Sequence, residues 1–199
     1  MLRPEGHDWL FLSSGSEGIA PLEHQFTSMA HATDIRIRPW RPDDLALLVR
    51  QANDIRVWNN LRDYFPHPYT EADGQAWLDT VTATELPVNF AIEADGAFAG
   101  GIGLILNGDV YVKSAELGYW VGADHWGRGI ASEAVRQMVE HCFRSFDIVR
   151  IYAEVFEGNK ASMRVLEKNG FYLEGVRRKA VFKNGLLMDD YIWVRLRPG

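Results

Sequence analysis

Cysteine is nearly missing from this chain, which carries one, Cys142. A single thiol excludes an internal disulfide, and the absence of Cys pairs excludes thiolate zinc sites of the usual spacing. That usage is compatible with a reducing cytoplasm. Long apolar runs are missing too: none approaches the roughly 18 residues that a spanning helix requires. The run Trp9-Leu10-Phe11-Leu12 follows Glu5 and Asp8, which makes it a poor secretory core. An excess of positive charge is also absent. With a net charge of −6 and a pI near 5.5, the chain has no long-range attraction to nucleic acid or to an anionic membrane. A small polar or cationic partner suits it better, and no His or carboxylate set has metal-ligand spacing.

The composition is that of an ordinary globular domain: 199 residues, 47% hydrophobic and 24% charged. Residues 1–33, with Ser13-Ser-Gly-Ser-Glu-Gly18 and scattered prolines, show neither strand nor helix period and read as a flexible extension. Met29, just ahead of the first patterned segment, is an alternative start. Residues 34–199 form the patterned domain. Asp34–Arg38 alternates as a strand, and Asp43 or Asp44 is placed to cap a helix with Leu45, Leu48, Val49 and Ala52 on its apolar face. Residues 55–64 read as a second helix, and Thr70-Glu-Ala-Asp73 as the capping box of a third. Asp95-Gly96 between the apolar runs 88–93 and 97–106 signals a hairpin.

Strand 115–122, a glycine loop, helix 132–146, strand 149–155 and helix 159–168, stopped by Asn169-Gly170, come next. A closing hairpin turns at Lys183-Asn-Gly185. The expected fold is α+β: a mixed, mostly antiparallel sheet of about seven strands with helices on both faces.

The loop His125-Trp-Gly-Arg-Gly-Ile-Ala131 is the segment richest in chemistry. A strand that feeds glycines into a helix N-terminus aims unpaired N–H groups and the positive helix end at one point, a place for a phosphate. Gly127 and Gly129 permit positive φ and close approach to the main chain. Tight packing is the competing explanation of such a Gly-x-Gly. The loop lacks both the Lys-Ser/Thr ending of a Walker loop and the third glycine of a dinucleotide fingerprint.

Glu116-Leu-Gly-Tyr-Trp-Val121, Trp126-Gly-Arg-Gly-Ile-Ala-Ser-Glu-Ala134 and Asn159-Lys-Ala-Ser-Met-Arg-Val-Leu-Glu-Lys-Asn-Gly-Phe171 resemble the GCN5-related N-acetyltransferase (GNAT) family. Within it they look most like the ribosomal-protein N-terminal acetyltransferases (RimJ/RimL-like) and their small-molecule relatives. The resemblance runs from about Asp34 to Leu196 and implies the acyl-CoA N-acyltransferase fold with acetyl-coenzyme A as ligand. It puts the cofactor's pyrophosphate on the backbone amides of Trp126, Gly127, Arg128, Gly129, Ile130 and Ala131, with Arg128 adding charge. Trp126 stands where the family usually has Gln or Arg.

The resemblance also implies that strands 115–122 and 149–155 splay to admit the pantetheine arm. That arm would run along Tyr119, Trp120 and Val121 and reach Asn159, which doubles as a helix N-cap. Ser162 matches the position that holds the acetylated thiol. The tyrosine acid of other branches is replaced by Leu166.

An ammonium cannot attack, so a base or a water chain must take its proton. Glu116 is the candidate base, with a structural ion pair as its alternative role. The amine pocket is expected at Trp58, Asn59, Tyr64, Phe65 and His67, within a cluster that also holds Asn60, Asp63 and Tyr69. Loop packing explains the same aromatics equally well. Two functions follow: an enzyme moving acetyl to a small-molecule or peptide amine by direct attack in a ternary complex, or a coenzyme A-binding sensor without turnover. No nucleic-acid or membrane partner and no metal is expected, and the chain is read as a cytoplasmic monomer or homodimer.

Overall fold

Two-residue turns set the register of the sheet toward both of its sides. Asp95 (φ 52°) and Gly96 (φ 80°) join β2 (Asn89–Ala94) to β3 (Ala97–Leu106), and Asn184 (φ 54°) and Gly185 (φ 77°) join β6 (Tyr172–Lys183) to β7 (Leu186–Leu196). Consecutive positive φ values match the right-handed twist of the flanking strands, and Asn, Asp and Gly tolerate them best. The computed structural model describes residues 33–199, so the extension expected over 1–33 lies essentially outside the described residues.

The remaining elements are β1 (Ile35–Arg38), α1 (Leu45–Ala52), α2 (Ile55–Trp58), α3 (Glu71–Thr82), β4 (Ser114–Val121), α4 (Ile130–Ser145), β5 (Arg150–Phe156) and α5 (Lys160–Lys168). Seven strands form one sheet in the order β1-β2-β3-β4-β5-β7-β6. Every neighbouring pair is antiparallel except β4 and β5. This is the expected mixed sheet with helices on both faces.

On one face the apolar stripe of α4 (Val135, Met138, Val139, Cys142) and Met163 and Leu166 of α5 cover Ala115, Leu117, Ile151, Ala153 and Val155. On the other, α1 and α3 pack Leu48, Ala52 and Leu78 with Tyr69 against Trp40, Ala91 and Phe98. Side chains alternate across a strand, so Glu116 of β4 and Glu154 of β5 point away from α4 and α5. No helix among the described residues is long and apolar enough to cross a membrane.

Three local expectations are corrected. The helix expected over 55–64 ends at Trp58: Asn60 turns its side-chain amide onto the Arg56 carbonyl (2.9 Å), the competition with the backbone that makes Asn a helix terminator. Asp44 occupies the N-cap position of α1 without a side-chain cap bond. Its carboxylate instead takes both Nη atoms of buried Arg38 (2.6 and 2.8 Å), which also donates Nε to Glu93 (2.6 Å). Helix α4 begins at Ile130 rather than Ser132, because Gly129 in the left-handed conformation starts it two residues earlier.

Candidate active site

Pairing between β4 and β5 stops early. Ser114, Ala115 and Glu116 oppose Arg150, Ile151 and Tyr152, and no pair follows, while β4 continues on β3 as far as Val121 opposite Gly100. The backbone of Leu117–Val121, including Tyr119 and Trp120, thus has a partner on one side only, and a gap opens between the two strands. The gap leads toward the glycine loop. There Gly127 and Gly129 both sit at φ +77°, and a Cβ on either would meet nothing within 4 Å, so φ rather than crowding is what requires glycine.

The amides of Gly127, Arg128 and Gly129 have no acceptor among the described residues, and the first helical contact, from Glu133 N–H to the Gly129 carbonyl (3.1 Å), leaves the amides of Ile130 and Ala131 outside the α4 ladder. The Trp126 amide turns inward to the Ala123 carbonyl (3.3 Å). This trims the expected Trp126–Ala131 cradle to the amides from Gly127 onward. The Trp126 indole donates to the Val121 carbonyl (2.7 Å), tying the loop to the end of β4. Arg128 pairs with Asp95 in the β2–β3 turn (2.6 Å), with both side chains about half exposed. An exposed pair of this kind is worth about 1 kcal/mol or less, so the guanidinium can exchange partners readily.

On the α5 side of the gap, Asn159 caps its helix by accepting from the Ser162 amide (3.1 Å). Ser162 Oγ lies 2.8 Å from the hydroxyl of Tyr119. Burial pushes the Tyr119 phenol well above its ordinary range, against a smaller opposing effect of the Ser162 hydrogen bond. The phenol is therefore a neutral hydrogen-bonding group that orients Ser162. Cys142 is sealed in the core, where burial pushes its thiol up to about 11. It is not available as a nucleophile.

On the opposite face Glu116 lies at the mouth of the gap in an ion pair with Arg62, and the same Arg62 Nη2 donates to Glu154 Oε2 (2.8 Å). Arg177 reaches that Glu154 oxygen as well (2.5 Å) and also pairs with Asp190, which is 1% exposed. Arg62, Glu154, Arg177 and Asp190, with Asp63 and Lys183, line an open cleft of about 380 Å³.

The residues expected to form the amine pocket are not gathered there. Trp58 donates to the Phe65 carbonyl (2.9 Å) and is covered by His67 and by Lys183 Nζ. Asn59 accepts from Asn184 (2.9 Å), Phe65 packs on Tyr69 and Trp120, and Tyr64 is 77% exposed. The loop that replaces the expected helix turns Arg62 toward Glu116 and Glu154 and sets Asp63 against Lys183 (2.7 Å). Charged residues flanked by Leu61 and Tyr64 carried no separate signal.

Residues 34–172 match the family described as Acetyltransferase (GNAT) domain. The chain belongs to that family. The "probable N-acetyltransferase YjcK" of Bacillus subtilis is 42% identical over 87 residues, 44% of this chain and 48% of that one. The ribosomal-protein-serine acetyltransferase of Escherichia coli is 34% identical over 84 residues, 42% of this chain and 47% of that one. The matches thus span about half the length of these relatives. Among solved structures, RimJ of Mycobacterium smegmatis in complex with CoA-disulfide superposes with a TM-score of 0.72 at 25% identity, over 81% of each chain.

Proposed function

We propose that this GNAT domain moves an acetyl group from acetyl-coenzyme A to a primary amine, on a small molecule or a peptide N-terminus, by direct attack in a ternary complex. One observation carries the reading: β4–β5 pairing ends at Glu116, and the opened strand leads into amides at Gly127–Gly129 that have no acceptor. The fit to the cofactor is good on both counts. A diphosphate needs main-chain donors at a helix N-terminus, and an extended amide-bearing arm needs a strand edge such as Leu117–Val121. Gly127, Arg128, Gly129, Ile130 and Ala131 would hold the phosphates, and Tyr119–Val121 with Asn159 the arm. The solved relative with coenzyme A supports the same ligand.

Acetyl-coenzyme A, when bound, supplies the activated acyl carbonyl and a thiolate leaving group. The chain's own residues divide the remaining work by face. Ser162 Oγ, oriented by Tyr119 on the α5 side, donates a hydrogen bond to departing sulfur. Glu116 at the mouth on the opposite face accepts the ammonium proton, directly or through water, with Arg62 fixing its carboxylate. Cys142, buried with a raised pKa, is not an acetyl carrier. The setting is cytoplasmic, with the chain acting as a monomer or homodimer.

Thiol release against an amine panel, measured beside calorimetric titration of acetyl-coenzyme A, tests this. Binding with turnover on at least one amine is expected. Binding without any turnover would favour a sensor, and no binding would refute the reading.

A further inference from the structure

We infer that the cleft beside the gap recognises an acceptor carrying a carboxylate next to its amine, an α-amino acid, and that Arg62 and Arg177 grip that carboxylate. The inference rests on the acetyl-transfer reading and names the acceptor class for the same site.

Two guanidinium groups converge there. Nη2 of Arg62 and Nη2 of Arg177 both lie on Glu154 Oε2, at 2.8 and 2.5 Å, so the two nitrogens stand within about 5 Å of each other. Two cations this close are held together by the carboxylates beneath them: Glu154 between both, Glu116 under Arg62 and buried Asp190 under Arg177.

Each guanidinium still has donors to offer. Arg62 engages only Nη2, leaving Nε and Nη1 without acceptors among the described residues, and Arg177 likewise leaves Nη1. The side chains are 36% and 47% exposed, so these edges are reachable from the cleft. Each two-nitrogen edge of a guanidinium includes the engaged Nη2, so the free donors are single N–H groups, and a carboxylate lying across both arginines can accept one from each.

The spacing selects the acceptor. Arg62 touches Glu116, which marks the mouth where an amine must arrive. An anion on the outer edge of Arg62 is therefore close to that amine, as in an amino acid, where one carbon separates the two groups. A polyamine is the poorer fit. Glu154 Oε2 is already shared by two guanidiniums that a second ammonium would face as like charges. Asp190 Oδ1 has no donor among the described residues, but Asp190 is sealed from solvent at 1% exposure. Phe156 and Val181 in the cleft give an apolar side chain a place to rest.

L-Leucine, L-leucinamide and spermidine separate the readings, with kcat/KM measured at saturating acetyl-coenzyme A and calorimetric titration of each amine in the presence of coenzyme A. Leucine and leucinamide share a shape and differ in the carboxylate. Leucinamide is the less basic amine and offers more free base at neutral pH, so a preference for leucine reports on the carboxylate.

We expect leucine to exceed leucinamide at least tenfold, and Arg177→Gln to shrink that ratio toward one by raising KM for leucine, with Arg177→Lys restoring part of it. The leucine to leucinamide ratio of the unaltered chain needs no variant to fold. Equal use of the two, or a preference for leucinamide or spermidine, would overturn the amino-acid assignment and leave acetyl transfer standing. Acetyl-coenzyme A bound without turnover on any amine would refute acetyl transfer, and the calorimetric comparison of leucine with leucinamide would still decide the carboxylate site.

Discussion

Tyr119 Oη meets Ser162 Oγ at 2.8 Å, joining the half of β4 that β5 leaves unpaired to the first turn of α5. The phenol, kept neutral by burial, fixes one side of the serine hydroxyl, and the Asn159 cap fixes the backbone beneath it. Ser162 and Tyr119 lie on the α5 face of the gap and Glu116 on the other, so the leaving group and the incoming amine are served from opposite sides.

Ser162→Ala should therefore lower kcat about tenfold, the worth of one hydrogen bond to a developing charge, with a smaller change in KM for acetyl-coenzyme A. Tyr119→Phe, which keeps the ring and removes the orienting contact, should fall between the variant and the unaltered enzyme. Steady-state kinetics at varied cofactor concentration check both. An effect confined to cofactor affinity would remove the leaving-group role.

Gly129→Val asks a branched residue to adopt φ +77° beside the amides assigned to the phosphates. The cofactor KM should rise at least tenfold. The left-handed backbone adds about 1–2 kcal/mol of strain, lowering Tm by a few degrees, while far-UV dichroism stays unchanged. A KM equal to that of the unaltered chain would refute the cradle.

The glycine loop, the hairpin turns and most single elements were legible because each depends on residues adjacent in the chain: Asp95-Gly96 and Asn184-Gly185 at turns, alternation in β5, the apolar stripe of α4. Asn159 as a cap was legible for the same reason. Arg62 was not. Its partners Glu116 and Glu154 are 54 and 92 residues away, and the helix expected over 55–64 ran straight through it. The side-chain competition of Asn60 that ends α2 is local, a signal able to place the residues just after Trp58 in a loop. Glu116 was singled out as a base or an ion pair. The pair is present, and the proton-accepting role is compatible with it.

Glu116→Gln separates those two roles. The amide keeps a hydrogen-bond acceptor for Arg62 but cannot take a proton, so kcat should drop and the acid limb of the pH–rate profile should flatten. A retained limb with reduced kcat would assign proton removal to water and leave Glu116 as an anchor for Arg62.

His125 gives the stability of the loop a pH dependence of definite sign. Its folded pKa lies below the ordinary value of 6.5, chiefly through burial and then through the charge of Arg128, while Asp124 opposes. Gln51 Nε2 stands 3.2 Å from the ring nitrogen Nε2, an arrangement that needs that nitrogen unprotonated as an acceptor. Between the depressed folded value and the unfolded one, the unfolded chain binds more protons, so stability rises with pH across that window. It is fully present above about pH 6.5 and is lost as pH falls through the folded pKa. Thermal unfolding followed from pH 7.5 down to 5 should show Tm falling below about pH 6.5. His125→Asn, which cannot titrate, should remove part of that slope, and an identical slope in the variant would assign the acid sensitivity to other groups.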